Sequence, residues 1–115
     1  MPVTMALGQH LDHLMDYLQL TEGELAQAVG ASPRSVARWR VDQSYPQHEA
    51  RRRLDSLDAL VRRLDESFTS PEGAVLWLRS ESGYFGGLRP LDALLRGRID
   101  AVDAALEALD SGLFV

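Results

Sequence analysis

Residues 20–39, Leu20-Thr21-Glu22-Gly23-Glu24-Leu25-Ala26-Gln27-Ala28-Val29-Gly30-Ala31-Ser32-Pro33-Arg34-Ser35-Val36-Ala37-Arg38-Trp39, hold two helix starts and one helix stop within twenty positions. Thr21 followed by Glu24 has the spacing of a capping box, in which each side chain satisfies a backbone N–H at the helix start. Leu25, Ala28 and Val29 then supply an inward face. Gly30 permits the left-handed backbone that commonly closes a helix. Ser32 with Pro33 gives an N-cap and a proline at the first helical position of the next helix. Val36 and Trp39 of that helix face inward, onto Leu25 and Val29, and Ala26 is small where the two helices cross. Two short helices joined by a glycine turn have the length of a helix-turn-helix, whose second helix is presented to the DNA major groove.

Outward from this pair, every stretch reads as helix or turn. Leu7, Leu11, Leu14 and Leu18 step by helical intervals and predict a first helix over about residues 4–18. Residues 42–47, with Ser44, Tyr45 and Pro46, predict a turn. Leu54, Leu57, Val61, Leu64 and Phe68 predict a long fourth helix. Ser70 and Pro71 repeat the cap-then-proline signal and open a short helix through Leu78. A loop over 80–89 carries Gly83, Gly86 and Gly87. Pro90 starts another short helix that Gly97 stops, and Ile99, Val102, Leu106 and Leu109 form the last, ended by Gly112. The expectation is all-α with about seven helices, divided into residues 1–66 and residues 67–115.

The 115 residues include no cysteine, which excludes a disulfide scaffold and an all-Cys zinc site. The longest apolar run, Ala74 to Leu78, is far short of the roughly 20 residues of a membrane span, so a soluble, cytoplasmic protein is expected. His10 and His13 share a helix spacing that suits a metal, but two histidines do not complete a site, and surface histidines are the better reading. Gly83, Gly86 and Gly87 follow no strand and make no dinucleotide fingerprint. Asp55, Asp58 and Asp65 are expected to pair with Arg51, Arg62 and neighbouring arginines along the fourth helix. No catalytic residues, metal or cofactor are assigned.

Charge is segregated beneath a net of −5. Residues 1–31 hold four acids and no base, residues 32–63 hold eight arginines against four acids, and the remainder holds four arginines against nine acids. Arg34, Ser35, Arg38 and Arg40 stand outward on the third helix, where a guanidinium fork suits guanine or phosphate. Arg51 and Arg52, beside Arg53, open the fourth helix and suit the DNA backbone. A helical hairpin that merely packs, with its arginines solvated, is the competing reading. A monomer presents one recognition helix, so a homodimer is the usual reader of a palindromic operator.

Leu20 to Ala26 with Ala31 to Trp39 resembles an Xre-type helix-turn-helix. Trp77-Leu78, Phe85-Gly86-Gly87, Pro90-Leu91-Asp92-Ala93-Leu94-Leu95 with Gly97, and Leu109 to Val115 resemble the MbcA/ParS toxin-binding domain. Together these cover nearly the whole chain. The resemblance implies an antitoxin of the Xre/RES type whose partner is a RES-domain toxin that consumes NAD. It implies that Gly86, Gly87, Arg89, Gly112, Leu113, Phe114 and Val115 belong to the toxin-binding part, that the chain covers the toxin's active site, that it autoregulates its operon by binding operator DNA, and that it forms a homodimer within a hetero-oligomer. Arg89 departs from the family pattern, because a small hydroxyl residue often precedes that proline, and its helix is expected to lack an N-cap. An acidic C-terminal third ending Leu113-Phe114-Val115 suits a basic dinucleotide cleft, with the tail over the NAD site. Equally, the tail folds back onto its own last helix, as residues after a glycine cap often do. The alternative function is a free-standing transcriptional regulator whose C-terminal helices only dimerise.

Overall fold

A computed structural model describes residues 6–112. The helices are α1 (Leu7–Leu18), α2 (Glu22–Val29), α3 (Pro33–Arg40), α4 (His48–Ser67), α5 (Pro71–Leu78), α6 (Pro90–Leu95) and α7 (Ile99–Asp110), with a 3-10 turn at Gly83–Phe85. The described residues contain no strand. The all-α expectation therefore holds, and the first helix begins at Leu7, after an extended Ala6.

Local capping explains the boundaries. Thr21 Oγ1 accepts from the Glu24 N–H at 3.1 Å, while the Glu24 carboxylate accepts from the Thr21 N–H at 3.0 Å. Ser32 accepts from the Ser35 N–H and Ser70 from the Gly73 N–H, each at 3.1 Å. Gly30 adopts φ 73°, the left-handed stop between α2 and α3. At α6, Arg89 offers no acceptor, as expected, yet the start is not bare. The Asp92 carboxylate reaches back to accept from the Arg89 N–H at 2.9 Å, which supplies half of a capping box.

One core spans both halves of the chain. Leu11, Leu14, Leu25, Val36, Trp39, Leu57, Leu64, Leu78, Leu94 and Leu106 belong to a single buried cluster. Long-range polar pairs show how its frame is aligned. His10 Nε2 meets Asp58 Oδ2 at 2.8 Å and the Tyr17 hydroxyl donates to Asp65 at 3.4 Å, so α1 and α4 run in the same direction. Arg63 meets Asp103 at 3.0 Å and the Ser67 hydroxyl donates to Asp110 at 2.8 Å, so α7 runs the same way along α4. These partners correct the expected arginine pairing on the fourth helix: Asp58 turns to α1's histidine and Asp65 to α1's tyrosine, because both carboxylates lie along the α1 seam.

The parallel frame has two ends separated by α4, about 30 Å long at 1.5 Å per residue. α3 lies across the end where α4 starts. Near one end of α3, Gly30 abuts the Arg53 side chain, and its other end closes on α1, where a Cβ on Gly8 would collide with the Arg40 carbonyl oxygen. α5, the 83–87 loop and the C-terminal part of α7 gather at the opposite end, with Ser82, Tyr84 and Leu109 lining one recess.

Candidate functional site

The end crossed by α3 collects exposed guanidinium groups. Arg34 and Arg38 project from α3, and Arg51 and Arg52 from the first turn of α4. Among the described residues, Arg34, Arg38 and Arg51 have no ion pair, and Arg52 reaches only Glu49, at 3.7 Å. Ser35 is partly buried, its hydroxyl accepting from that of Ser32 at 3.0 Å. Arg34, Arg38, Arg51 and Arg52 are thus all exposed, on α3 and near the start of α4.

Arg40 departs from that set. Its Nε donates to Asp12 and its Nη1 to Glu22, each at 2.7 Å, so both edges of the fork are spent inside the molecule. Hydrogen bonds to Glu22 and then Asp12 raise its affinity for its proton. The outward reading of Arg40 fails because periodicity along α3 does not show that α1 and α2 each place an acid beside it. Arg40 therefore ties α3 to α1 and α2.

The opposite end is acidic and partly apolar. Glu66, Glu72, Glu81 and Glu107 have no ion pair among the described residues. Gly86 (φ 66°) and Gly87 (φ 93°) turn the loop at its exposed tip, and the Gly87 N–H closes it by donating to the Ser82 carbonyl at 2.9 Å. Arg89 is held by Asp92 at 2.8 Å, which keeps the Asp92 carboxyl below the usual carboxylate range, chiefly through that side-chain hydrogen bond. Gly112 (φ 75°) stands exposed after α7. Leu113, Phe114 and Val115 lie outside the described residues, so neither placement of the tail is decided. Sequence reasoning missed three exposed apolar groups in this half of the chain, Leu76 (69% exposed), Leu88 (49%) and Tyr84 (38%). Leu76 interrupts no helical pattern, so only the packing distinguishes it from buried Leu78. Trp77 is half-buried, its ring 5.9 Å from that of Phe68, and a recess of about 130 Å³ lies between it, the 80–84 segment and Leu109.

The described residues contain no cluster of three or more potential metal ligands and no helix long and apolar enough to cross a membrane. Fold and geometry define a helix-turn-helix protein carrying a C-terminal helical module on a shared core. A family model, the antitoxin Xre/MbcA/ParS C-terminal toxin-binding domain, matches residues 63–112. The mycobacterial cidal antitoxin MbcA of Mycobacterium tuberculosis strain H37Rv is 34% identical over 109 residues, covering 95% of this chain and 96% of that protein. MbcA of Mycobacterium bovis is equally similar. A chain in the crystal structure of the M. tuberculosis MbcT–MbcA toxin–antitoxin complex superposes with a TM-score of 0.69 at 31% identity, covering 97% of this chain and all of that one. The chain belongs to the Xre/MbcA/ParS antitoxin family.

Proposed function

We propose that this protein is a cytoplasmic antitoxin that neutralises a RES-domain, NAD-degrading toxin by covering its active site, and that it also binds operator DNA to autoregulate its operon. The observation that carries the first part is likeness along nearly the whole chain to MbcA, a protein solved in complex with a toxin. The charge distribution supports it. A toxin cleft that holds the phosphates of a dinucleotide is basic, and the unpaired acids around the 80–87 loop and α7 complement such a cleft and speed encounter. Leu76, Leu88 and Tyr84 offer the apolar contacts that anchor an interface once charge has steered the partners together. Gly86, Gly87 and Arg89 shape this docking end, and Gly112 stands exposed after α7.

DNA binding rests on the other end. Arg34 and Arg38 lie four residues apart on one face of α3, within reach of base edges, with Ser35 between them and Arg51 and Arg52 on the flanking backbone. A homodimer would present two such helices to the halves of a palindrome. Arg40, already tied to two carboxylates, is left out of the DNA-contacting set.

The test is co-expression with a RES-domain toxin, followed by purification and measurement of cellular NAD. A stable complex and preserved NAD are expected. Separate elution of the two chains, with NAD depleted as in cells expressing the toxin alone, would overturn the antitoxin reading and leave a regulator whose C-terminal helices dimerise.

A further inference from the structure

The C-terminal module is acidic in sequence, yet two of its four arginines do not face the acidic end. Arg96 and Arg98 flank Gly97 in the turn between α6 and α7, and that turn packs against the helix-turn-helix. Arg53 fixes the arrangement. Its Nη1 atom lies 2.8 Å from where a Cβ of Gly30 would stand and 2.9 Å from where a Cβ of Gly97 would stand, so the two turns are separated by the width of one guanidinium group. Both glycines adopt left-handed backbone, φ 73° and φ 78°, and the Gly97 site also lies 3.6 Å from the Ala28 carbonyl oxygen. Gly30 closes α2 three residues before α3 begins at Pro33. The 96–98 turn is thus a neighbour of the start of the recognition helix, although nearly seventy residues of chain intervene.

Both side chains are available there. Arg96 is exposed and has no ion pair among the described residues; Asp92, whose carboxylate feels its charge, is already bonded by Arg89. Arg98 is 64% exposed, and its one ion pair among the described residues is to Asp100, at 3.4 Å. Neither contributes to the core, and neither adds positive charge where an electropositive toxin cleft would be met. With Arg53 between their turn and Gly30, they carry a band of guanidinium groups across the boundary between the two halves of the chain. A band of this kind, carried by several elements and read by none as base-specific geometry, suits the regularly spaced phosphates of a duplex.

The geometry points to a second DNA-contacting element: the Arg96-Gly97-Arg98 turn of the C-terminal module clamps the phosphate backbone of duplex DNA beside the groove entered by α3, with Arg53 positioning it. The inference rests on the DNA-binding reading of α3 and extends it to residues outside the helix-turn-helix. It makes DNA binding a property of the whole chain.

Salt-dependent binding tests it, because each phosphate contact contributes about 0.9 to the slope of log affinity against log salt. The probe is a fluorescein-labelled duplex of mixed sequence, about 30 base pairs long, titrated with full-length protein between about 50 and 200 mM NaCl, a range over which phosphate contacts dominate the change. Arg96→Gln is expected to lower the slope by about one, and Arg96→Gln with Arg98→Gln by about two, with roughly tenfold weaker binding at the lower salt. Arg62→Gln removes the same charge from an exposed arginine along α4, away from this end, and is expected to leave the slope unchanged. Inhibition of the toxin by the double variant should match wild type. A double-variant slope equal to wild type, or an equal loss in Arg62→Gln, would overturn the clamp while α3 binding stands. Loss of toxin inhibition with duplex binding intact would also overturn it, assigning the turn to the toxin. Failure of the wild-type chain to bind any duplex would sink the DNA reading itself, and the clamp with it.

Discussion

Gly8 stands where α1 passes the end of α3, and a methyl group there would run into the Arg40 carbonyl oxygen, a backbone atom that cannot swing aside. Gly8→Ala is therefore expected to cost about 2 kcal/mol of stability despite the better helix propensity of alanine, read as a lower midpoint in chemical denaturation. An unchanged midpoint would show that α1 and α3 separate easily. Two arginines on α3 should behave as opposites. Arg40→Ala removes two partly exposed ion pairs and is expected to lower stability by about 1 kcal/mol. Arg38→Ala, which breaks no ion pair or side-chain hydrogen bond among the described residues, is expected to leave stability and toxin neutralisation intact while weakening operator binding in a mobility-shift assay; shifts indistinguishable from wild type would remove Arg38 from the DNA-contacting set. At this scale the sequence was legible only where partners are near in the chain. Arg40's acids lie 28 and 18 residues away and the reason for Gly8 lies 32 residues away, so neither could be read from local spacing.

The helices themselves were legible because their ends are written locally. Thr21 with Glu24, Ser32 with Pro33, Ser70 with Pro71, and Pro90 mark starts that the structure reproduces to within a residue or two. Thr21→Ala is expected to cost about 1 kcal/mol through the lost cap, measurable as a lower thermal midpoint, and Thr21→Ser should restore most of it. Asp92 carries a pH signature. Hydrogen bonds from the Arg89 side chain, then from its backbone N–H, depress its pKa in the folded protein. Such a carboxylate adds stability that is fully present above its unfolded value, near 3.9, and is lost as the pH falls through the lower folded value. Asp92→Asn should therefore melt below wild type at neutral pH, with the gap narrowing on acidification through the carboxylate range. A gap that widens in acid would contradict the assignment. Arg89 looked like a missing cap because the cap comes from the third residue of the helix and not from the position before the proline.

At the scale of the whole molecule, charge blocks along the sequence become opposite ends of a parallel frame. That outcome was half legible. Counting predicted a basic middle and acidic flanks, but Asp12 and Glu22 are drawn onto Arg40, and Arg96 and Arg98 are brought beside the α2–α3 turn by packing of the α6–α7 turn against α2. The division between residues 1–66 and 67–115 marks the end of α4, while the core runs through it without interruption. Stability is therefore expected to be shared: Leu94→Ala, in α6, should lower the midpoint of one cooperative transition by about 3 kcal/mol, and not melt a separate unit. Two transitions would show that the halves fold independently. The most direct test of the account is NAD consumption by the purified partner toxin titrated with this protein. Suppression that is complete near equal molar amounts, and preserved with Arg38→Ala, is the predicted result; consumption that continues undiminished under excess protein would contradict it.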